Sequence, residues 1–590
     1  MKLRNLVWWA VALAVVAGLL YAPTGSFAFL RLDDHDYTFR CAFVFDGLSW
    51  ANVKKALVNV RHAGVWMPIT YMSYMADITL FGPGPEPHHL VNVAFHMANV
   101  VLLLALAWRL AGGRCNEWIV LAVAFWGLHP QRVEAVAWIA SRKELLWAFF
   151  ALLGLLAHER GLRAPCPSAR KLLWQGGSCI CCALACMSKP TAMCFPLLAL
   201  CVDWMRPEAN PRNHVKAREL CSRAVPYLPF IAMALATGAL AIYSQTHPEG
   251  HATRELFSAS LPWRLLNAAV SIGLSLFQMI VPIGIRLDYR AVPGQFPLQG
   301  MLGLTILAGA IGLLAYLQRK CRKNCFAKRG AWIAAAWFLS ALLPTLGIFG
   351  SFGEHARADR FLYVPMMAVA LAAAWTENRP GRMAKVVLGV YVIALAACAW
   401  PVIDSYRNDT TVFARTLAFD PENGRALAHV GQAECALPGG IDRGIDHLRH
   451  SQAIRPRDDT AAHLAYALAM RGHSHDFAEI RRLCSKFACD HRLDKKGQAL
   501  EALGMTAMRQ RRWEEAIGCF NDSIRAPQRF YSPDDAKLRL AACLCNAGRQ
   551  EDAIRTLEPL TQSRRIDIKG KANQALETLK RNPRAVLFLD

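Results

Sequence analysis

The sequence predicts an all-α protein in two parts, a polytopic helical membrane domain followed by a solenoid of paired helices. Three observations carry that expectation. Hydrophobic residues make up 54% of the 590 and mean hydropathy is positive, too apolar for a soluble chain with this share of charge. The apolar residues come in long runs separated by short basic clusters, as membrane helices and their loops do. Beyond residue 403 those runs stop, and small and large residues recur at a regular period.

Runs of roughly 17 to 25 apolar residues are long enough to cross a bilayer. They locate about eleven spans, several of them short, near 6–28, 89–108, 117–129, 144–158, 172–188, 191–205, 223–243, 297–317, 331–349, 361–376 and 385–403. The first run follows Lys2 and Arg4, is long for a signal peptide and lacks a small-residue cleavage site, so it reads as a retained span. Lys and Arg outnumber Asp and Glu by 67 to 44, a net charge of +23. Because these cations cluster between apolar runs, the charge reads as an orientation signal, and no nucleic-acid partner is expected.

Lys2/Arg4, Arg109/Arg114, Arg160–Lys171, Arg206–Arg223, Arg319–Arg329 and Arg379–Lys385 then fall on one side, taken as inside. Leu265–Ile285 is also apolar, but counting it as a span would put the Arg319–Arg329 cluster outside. It is therefore expected to be re-entrant or packed in a cavity. The N-terminus comes out inside, in a cytoplasmic or ER-type membrane, and everything after Ile403 outside. Four polar stretches share that outer side: RLDDHDY at 31–37, His129–Lys143, Ser188–Pro190 and Glu354–Arg360.

The division expected is a membrane domain over 1–403, a solenoid over 404–563, and a capping helix with tail over 564–590. In Leu503-Gly504, Trp513, Ala516, Phe520 and Pro527, small and large positions alternate as in the two antiparallel helices of a 34-residue tetratricopeptide repeat. A second copy reads Leu540-Ala541, Gly548, Ala553 and Leu557. Looser copies surround Gly431, Leu448 and Pro456, and Ala465–Cys484, while Phe413–Pro421 resembles a lone second helix. The concave surface of such repeats suits an acceptor protein or peptide. Of the 19 cysteines, those at 179–201 lie in apolar runs, and no double CxxC pattern marks a zinc site. Cys484 with Cys489, or Cys543 with Cys545, are candidate disulfides if that region is extracytoplasmic.

Asp33, Asp34 and Asp36 place three carboxylates within four residues, directly after the first span. Adjacent carboxylates repel, which raises the pKa of one toward neutrality; the plain alternative is a solvated acidic loop. Arg142 and Lys143 sit at an outer mouth that positive-inside statistics disfavour for cations, where Arg forks onto phosphate oxygens and Lys offers a point charge. Snorkelling, or an ion pair such as Lys143 with Glu134, is the competing reading. Lys189 and Arg360 are similar cations, and Asp359 stands beside Arg360 to hold it. His88, His89, Asn92, His96 and Asn99 recur at steps of three and four and share one face of the second span. His89 and His96 lie two turns apart, too far for two ligands of one metal, so hydrogen bonding between helices is expected and no metal site. His129, Glu134 and Trp138 are expected to shape the rim of a cavity.

RLDDHDY, GVWMPITYMSYMADITLFG, HHLVNVAFHMANVVLLL, HPQRVEAVAWIASRKELL, MSKPTAMCFPLLALCVDW and ADRFLYVP, followed by repeats, resemble the transmembrane and TPR-containing O-mannosyltransferase-like proteins of the GT-C glycosyltransferase superfamily. The resemblance covers nearly the whole chain in order. It departs at Ala135 and Glu144, where Ser and Asp are expected, and around Pro282–Tyr289, where only part of the pattern is kept. It implies transfer of a hexose, mannose by the family's name, from a polyprenyl-phosphate donor to an acceptor hydroxyl, of protein Ser/Thr or of another glycolipid, on the extracytoplasmic face. It also implies Asp33 or Asp34 as base, with Arg142, Lys143, Lys189 and Arg360 on the donor phosphate. Tyr37, His89, Asn92, His96, His129, Glu134 and Asp359 are the supporting residues. The donor lipid, the acceptor and membrane lipids are the partners expected. No cofactor is, with the need for a divalent ion left open. A membrane-anchored scaffold without catalysis is the alternative, which the polar outer loops disfavour.

Overall fold

A computed structural model describes the chain except residues 1–2, 40, 61–63, 115, 166–167, 207–224, 247–259, 290–296, 321–324, 349–356, 376–380, 490–495, 527–532, 564, 583–585 and 588–590. Most of the Arg206–Arg223 cluster, Arg322 and Lys323, Glu354, Arg379, Pro527 and the Cys489 side chain lie outside the described residues. All regular structure among the described residues is helical, and the chain divides into compact units at 1–412 and 413–590.

In the first unit, α1 (Leu3–Tyr21) leads through a 3-10 turn to α2 (Asp33–Tyr37), α3 (Ala42–Phe45), α4 (Trp50–Val58) and α5 (Pro68–Phe81). Then come α6 (Pro85–Leu110), α7 (Glu117–Leu128), α8 (Val133–Ala137), α9 (Arg142–Arg163), α10 (Ala169–Ser188) and α11 (Phe195–Trp204). The unit ends with α12 (Leu228–Thr246), α13 (Leu261–Ile280), α14 (Pro297–Lys320), α15 (Cys325–Leu342), α16 (Ala368–Ala373) and α17 (Arg382–Ser405). Among the described residues, seven helical stretches are long and apolar enough to cross a membrane and three more are shorter, so this is a multi-pass membrane protein.

Two stretches differ in form from the expectation. The 361–376 run is not one spanning helix: 3-10 turns at Asp359–Leu362 and Pro365–Met367 precede the six-residue α16. Pro365 has no N–H to continue a helical ladder through this run. Leu265–Ile285 contains a continuous 20-residue helix, α13, long enough to cross. One end bonds through Arg264 to the Ile348 carbonyl, and near the other the Met279 carbonyl bonds to His129. Its backbone meets α14 so closely that a Cβ on Gly273 would lie 1.8 Å from the Gly303 carbonyl oxygen, the small-residue contact that lets membrane helices approach.

Ion pairs sort the loops. Glu117 at the start of α7 meets Lys385 near the start of α17, and buried Glu159 holds both Arg109 and Arg163. At other loops, Ala140 meets Asp34, Lys189 meets Glu144 and Arg360 meets Glu134. Residues of the four polar stretches are thus linked, Asp34 to Ala140, Arg360 to Glu134, and Lys189 to Glu144 just beyond Lys143.

The second unit is a series of packed helices, with α18 (Asp409–Phe419) straddling the division. It contains α19 (Gly424–Cys435), α20 (Ile441–Ile454), α21 (Asp458–Arg471), α22 (Phe477–Cys489), α23 (Lys496–Arg509), α24 (Trp513–Arg525), α25 (Asp534–Asn546), α26 (Gln550–Leu557) and α27 (Ile566–Arg581). Each helix packs on the next, and α19, α21, α23 and α25 also stack on one another. Ala516, Phe520, Ala541, Ala553 and Leu557 are buried between them. Cys484, Cys543 and Cys545 are buried free thiols, so no 543–545 bridge exists here.

Candidate active site

The two neighbouring aspartates have different environments. Asp34 is fully buried, and its carboxylate accepts from the Leu30 N–H at 2.9 Å and the Ala140 N–H at 2.8 Å. It therefore ties the end of the first span to the loop before α9. Burial pushes it up to about 7, with the charge of Asp33 a lesser contribution. Repulsion between the pair is not the leading cause, and the raised carboxyl is the inaccessible one.

Asp33 is the open member, with 43% of its side chain exposed. Lys143 Nζ lies 3.5 Å from its Oδ2 and donates to the Tyr37 hydroxyl at 2.9 Å. Tyr37 in turn donates toward the same carboxylate at 3.3 Å. α2 is only five residues long, which brings Asp33 and Tyr37, one turn apart, onto the same side of it.

Lys189 and Arg360 complete a basic group with Lys143. Lys189 pairs with Glu144, whose other oxygen accepts from the Trp147 indole at 2.9 Å; burial brings Lys189 down to about 8. Arg360 pairs with Glu134 and lies over the rings of Trp138 and Phe361, 5.1 and 4.8 Å from their centroids. Lys189 Nζ lies 5.1 Å from the same Phe361 ring. Each cation thus has a carboxylate of its own and stands on an aromatic face.

Arg142 does not belong to that group, and its expected phosphate role is corrected. It is fully buried and donates to Asn92 Oδ1 at 2.8 Å, to the His88 carbonyl at 2.6 Å and to Asp77, with Tyr74 beneath it at 4.6 Å. Asp77 also takes His88 Nδ1 at 2.7 Å. A guanidinium fully committed to protein partners has no fork left for a ligand. Asp359 is corrected too: it accepts from Tyr289 at 2.6 Å and Gln131 at 3.3 Å, and Glu134 is what holds Arg360. Lys143 pairs with Asp33 and not with Glu134.

The polar stripe of α6 bonds between helices. Asn92 reaches the carbonyls of Val136 and Trp138, His96 meets the Tyr363 hydroxyl at 2.8 Å and the Gly127 carbonyl at 3.0 Å, and Asn99 donates to Leu145 and Tyr363. His89 is buried against Phe27. His129 accepts from the Gln131 N–H and caps the following turn. Sequence reasoning missed Asp77, Tyr289 and Gln131. Asp77 was detectable as a lone carboxylate inside the apolar run Pro68–Phe81, where an acid needs a partner.

No family model matches the chain. It is 22% identical over 510 residues to the Drosophila melanogaster protein O-mannosyl-transferase Tmtc3, covering 72% of this chain and 54% of that one. It is 19% identical over 384 residues to the Caenorhabditis elegans protein O-mannosyl-transferase F38B6.6, covering 62% and 50%. A 104-residue segment is 31% identical to Drosophila Tmtc1. The chain spans about half the length of the curated relatives it matches over most of its own. Among solved structures, ArnT from Cupriavidus metallidurans bound to undecaprenyl phosphate aligns over 80% of this chain and 82% of its own, with a TM-score of 0.37 and 16% identity.

Proposed function

We propose that this chain, similar along most of its length to protein O-mannosyl-transferases, is a GT-C type glycosyltransferase. It moves a hexose, mannose by that similarity, from a polyprenyl-phosphate donor to an acceptor hydroxyl of protein Ser or Thr on the extracytoplasmic face. The observation that carries the reading is one accessible carboxylate, Asp33, within reach of Lys143, with Lys189 and Arg360 grouped nearby at the same end of a membrane bundle.

In this mechanism Asp33 takes the acceptor hydroxyl proton as the oxygen attacks the anomeric carbon, and the lipid phosphate leaves with the electron pair of the broken bond. Lys143, Lys189 and Arg360 stabilise the charge growing on that phosphate. The displacement inverts the anomeric centre and needs no covalent enzyme intermediate. Asp34 keeps the Asp33 loop against residue 140, so it is a positioning residue. The paired helices beyond residue 412 act as a tetratricopeptide-type groove for the acceptor chain.

The test is transfer of labelled mannose from a polyprenyl-phosphate donor to an acceptor peptide, by the full chain in lipid nanodiscs. Asp33→Asn is expected to lose at least a hundredfold in rate while its unfolding midpoint stays within a degree or so. Wild-type rates in that variant refute the base. Mass spectrometry of extracytoplasmic glycoproteins and glycolipids from cells lacking the protein identifies sugar and acceptor.

A further inference from the structure

Glu134 is the carboxylate of the site that depends most on its cation. Its Oε1 takes the Arg360 guanidinium and its Oε2 takes the backbone N–H of the same residue at 2.9 Å, and it is only 2% exposed. The other two carboxylates are better provided for. Asp33 is open to solvent, and Glu144 keeps the Trp147 indole when Lys189 turns away and also interacts electrostatically with Lys143 and Arg360. Were Arg360 to turn to another anion, Glu134 would retain one neutral N–H against a full buried charge, which is costly without a counter-ion.

Among the described residues, Arg360 is the one cation among the groups that act most strongly on Glu134. From the turn at Asp359–Leu362 it meets Arg360 and the like-charged Asp359, and after α17 it meets the Tyr406 phenol. Burial already lifts Glu134 to about 7 with Arg360 in place, and Arg360 is the strongest opposing influence.

We infer that Glu134 is a displaceable counter-ion: a phosphodiester reaching Arg360 takes the guanidinium from it, and the released carboxylate binds a proton from bulk water. No covalent bond breaks. One proton enters with one negative charge, so the buried site admits the anion at constant net charge. The inference rests on the donor-phosphate reading of Arg360 and makes Glu134 the residue that sets the affinity of that site and its dependence on pH.

The experiment measures binding of a polyprenyl methyl phosphodiester, whose single charge does not change with pH, to the full chain in nanodiscs. Wild-type affinity is expected to weaken as pH rises from 6.5 to 8.5. Glu134→Gln keeps an acceptor and the shape without the charge, and is expected to bind about tenfold more tightly at pH 8 with a shallower profile, the remaining slope coming from Lys189, which burial brings down to about 8. A merely structural Glu134 predicts weaker binding or an unchanged pH slope in that variant, and either result overturns the inference. Arg360→Met separates the two levels. If the diester fails to bind wild type, or binds Arg360→Met equally well, the donor site itself is wrong and the inference falls with it.

Discussion

The Ala140 backbone N–H donates to Asp34 Oδ1 at 2.8 Å, joining loops 106 residues apart in sequence. With the Leu30 bond on the other oxygen, this fixes where α2 begins and therefore where Asp33 stands. The two adjacent acids differ in role: one holds the loop and the other is open to solvent.

That division predicts opposite phenotypes. Asp34→Leu leaves two buried N–H groups without an acceptor and is expected to cost about 2–6 kcal/mol of stability, at roughly 1–3 for each orphaned group. Its unfolding midpoint falls, and activity falls with it. Asp33→Asn leaves the midpoint in place and removes transfer. Both are read by intrinsic tryptophan fluorescence on heating beside a transfer assay, and a stable Asp34→Leu protein would contradict the assignment.

Stability is expected to fall with rising pH through the Asp34 window. In an unfolded chain an aspartate titrates near 3.9, roughly the solution value; in the fold burial raises Asp34 to about 7. Between those values the folded state holds a proton that the unfolded state has lost, so raising pH through the window removes stability, which then levels off. Asp34 by itself thus tilts the unfolding midpoint downward between pH 5.5 and pH 7.5. Asp34→Asn should flatten that slope without abolishing it, because Glu134 titrates in the same window.

Arg142 and Asp77 form a buried pair inside the membrane domain. Removing one partner of such a pair costs about 3–5 kcal/mol, because the other is left as an uncompensated charge. Arg142→Met is therefore expected to destabilise strongly, and Arg142→Met with Asp77→Leu by less than the sum of the single changes. Thermal unfolding of the four proteins of the cycle measures the difference. Additive losses would mean the two side chains do not share an interaction.

The membrane helices and the helix pairs were legible because each leaves a periodic trace, an apolar run or a recurring small residue. Grouping Asp33, Lys143, Lys189 and Arg360 was also legible, since each lies in a loop that the basic clusters assign to one side. The separation of Arg142 from Lys143 was not. Adjacent positions at the first turn of α9 differ by about 100° around the helix axis. That rotation sends one cation inward to Asp77 and the other toward Asp33. The Glu134–Arg360 pair was equally hidden, because nothing local in the sequence connects positions 226 residues apart.

Gly504 on α23 faces the buried ring of Phe520 on α24, and a Cβ there would lie 2.8 Å from the ring, closer than real Cβ atoms approach one another's neighbours. The ring cannot retreat easily, since Phe520 is fully enclosed in the core of the second unit. Gly504→Leu is therefore an overpacking change, expected to cost about 1–3 kcal/mol, whereas Gly504→Ala costs less because only one carbon must be accommodated. Limited proteolysis of the full chain reads the effect directly: cleavage within 413–590 should accelerate in Gly504→Leu while the membrane helices keep their resistance. Unchanged cleavage rates would mean that α23 and α24 do not pack through this glycine.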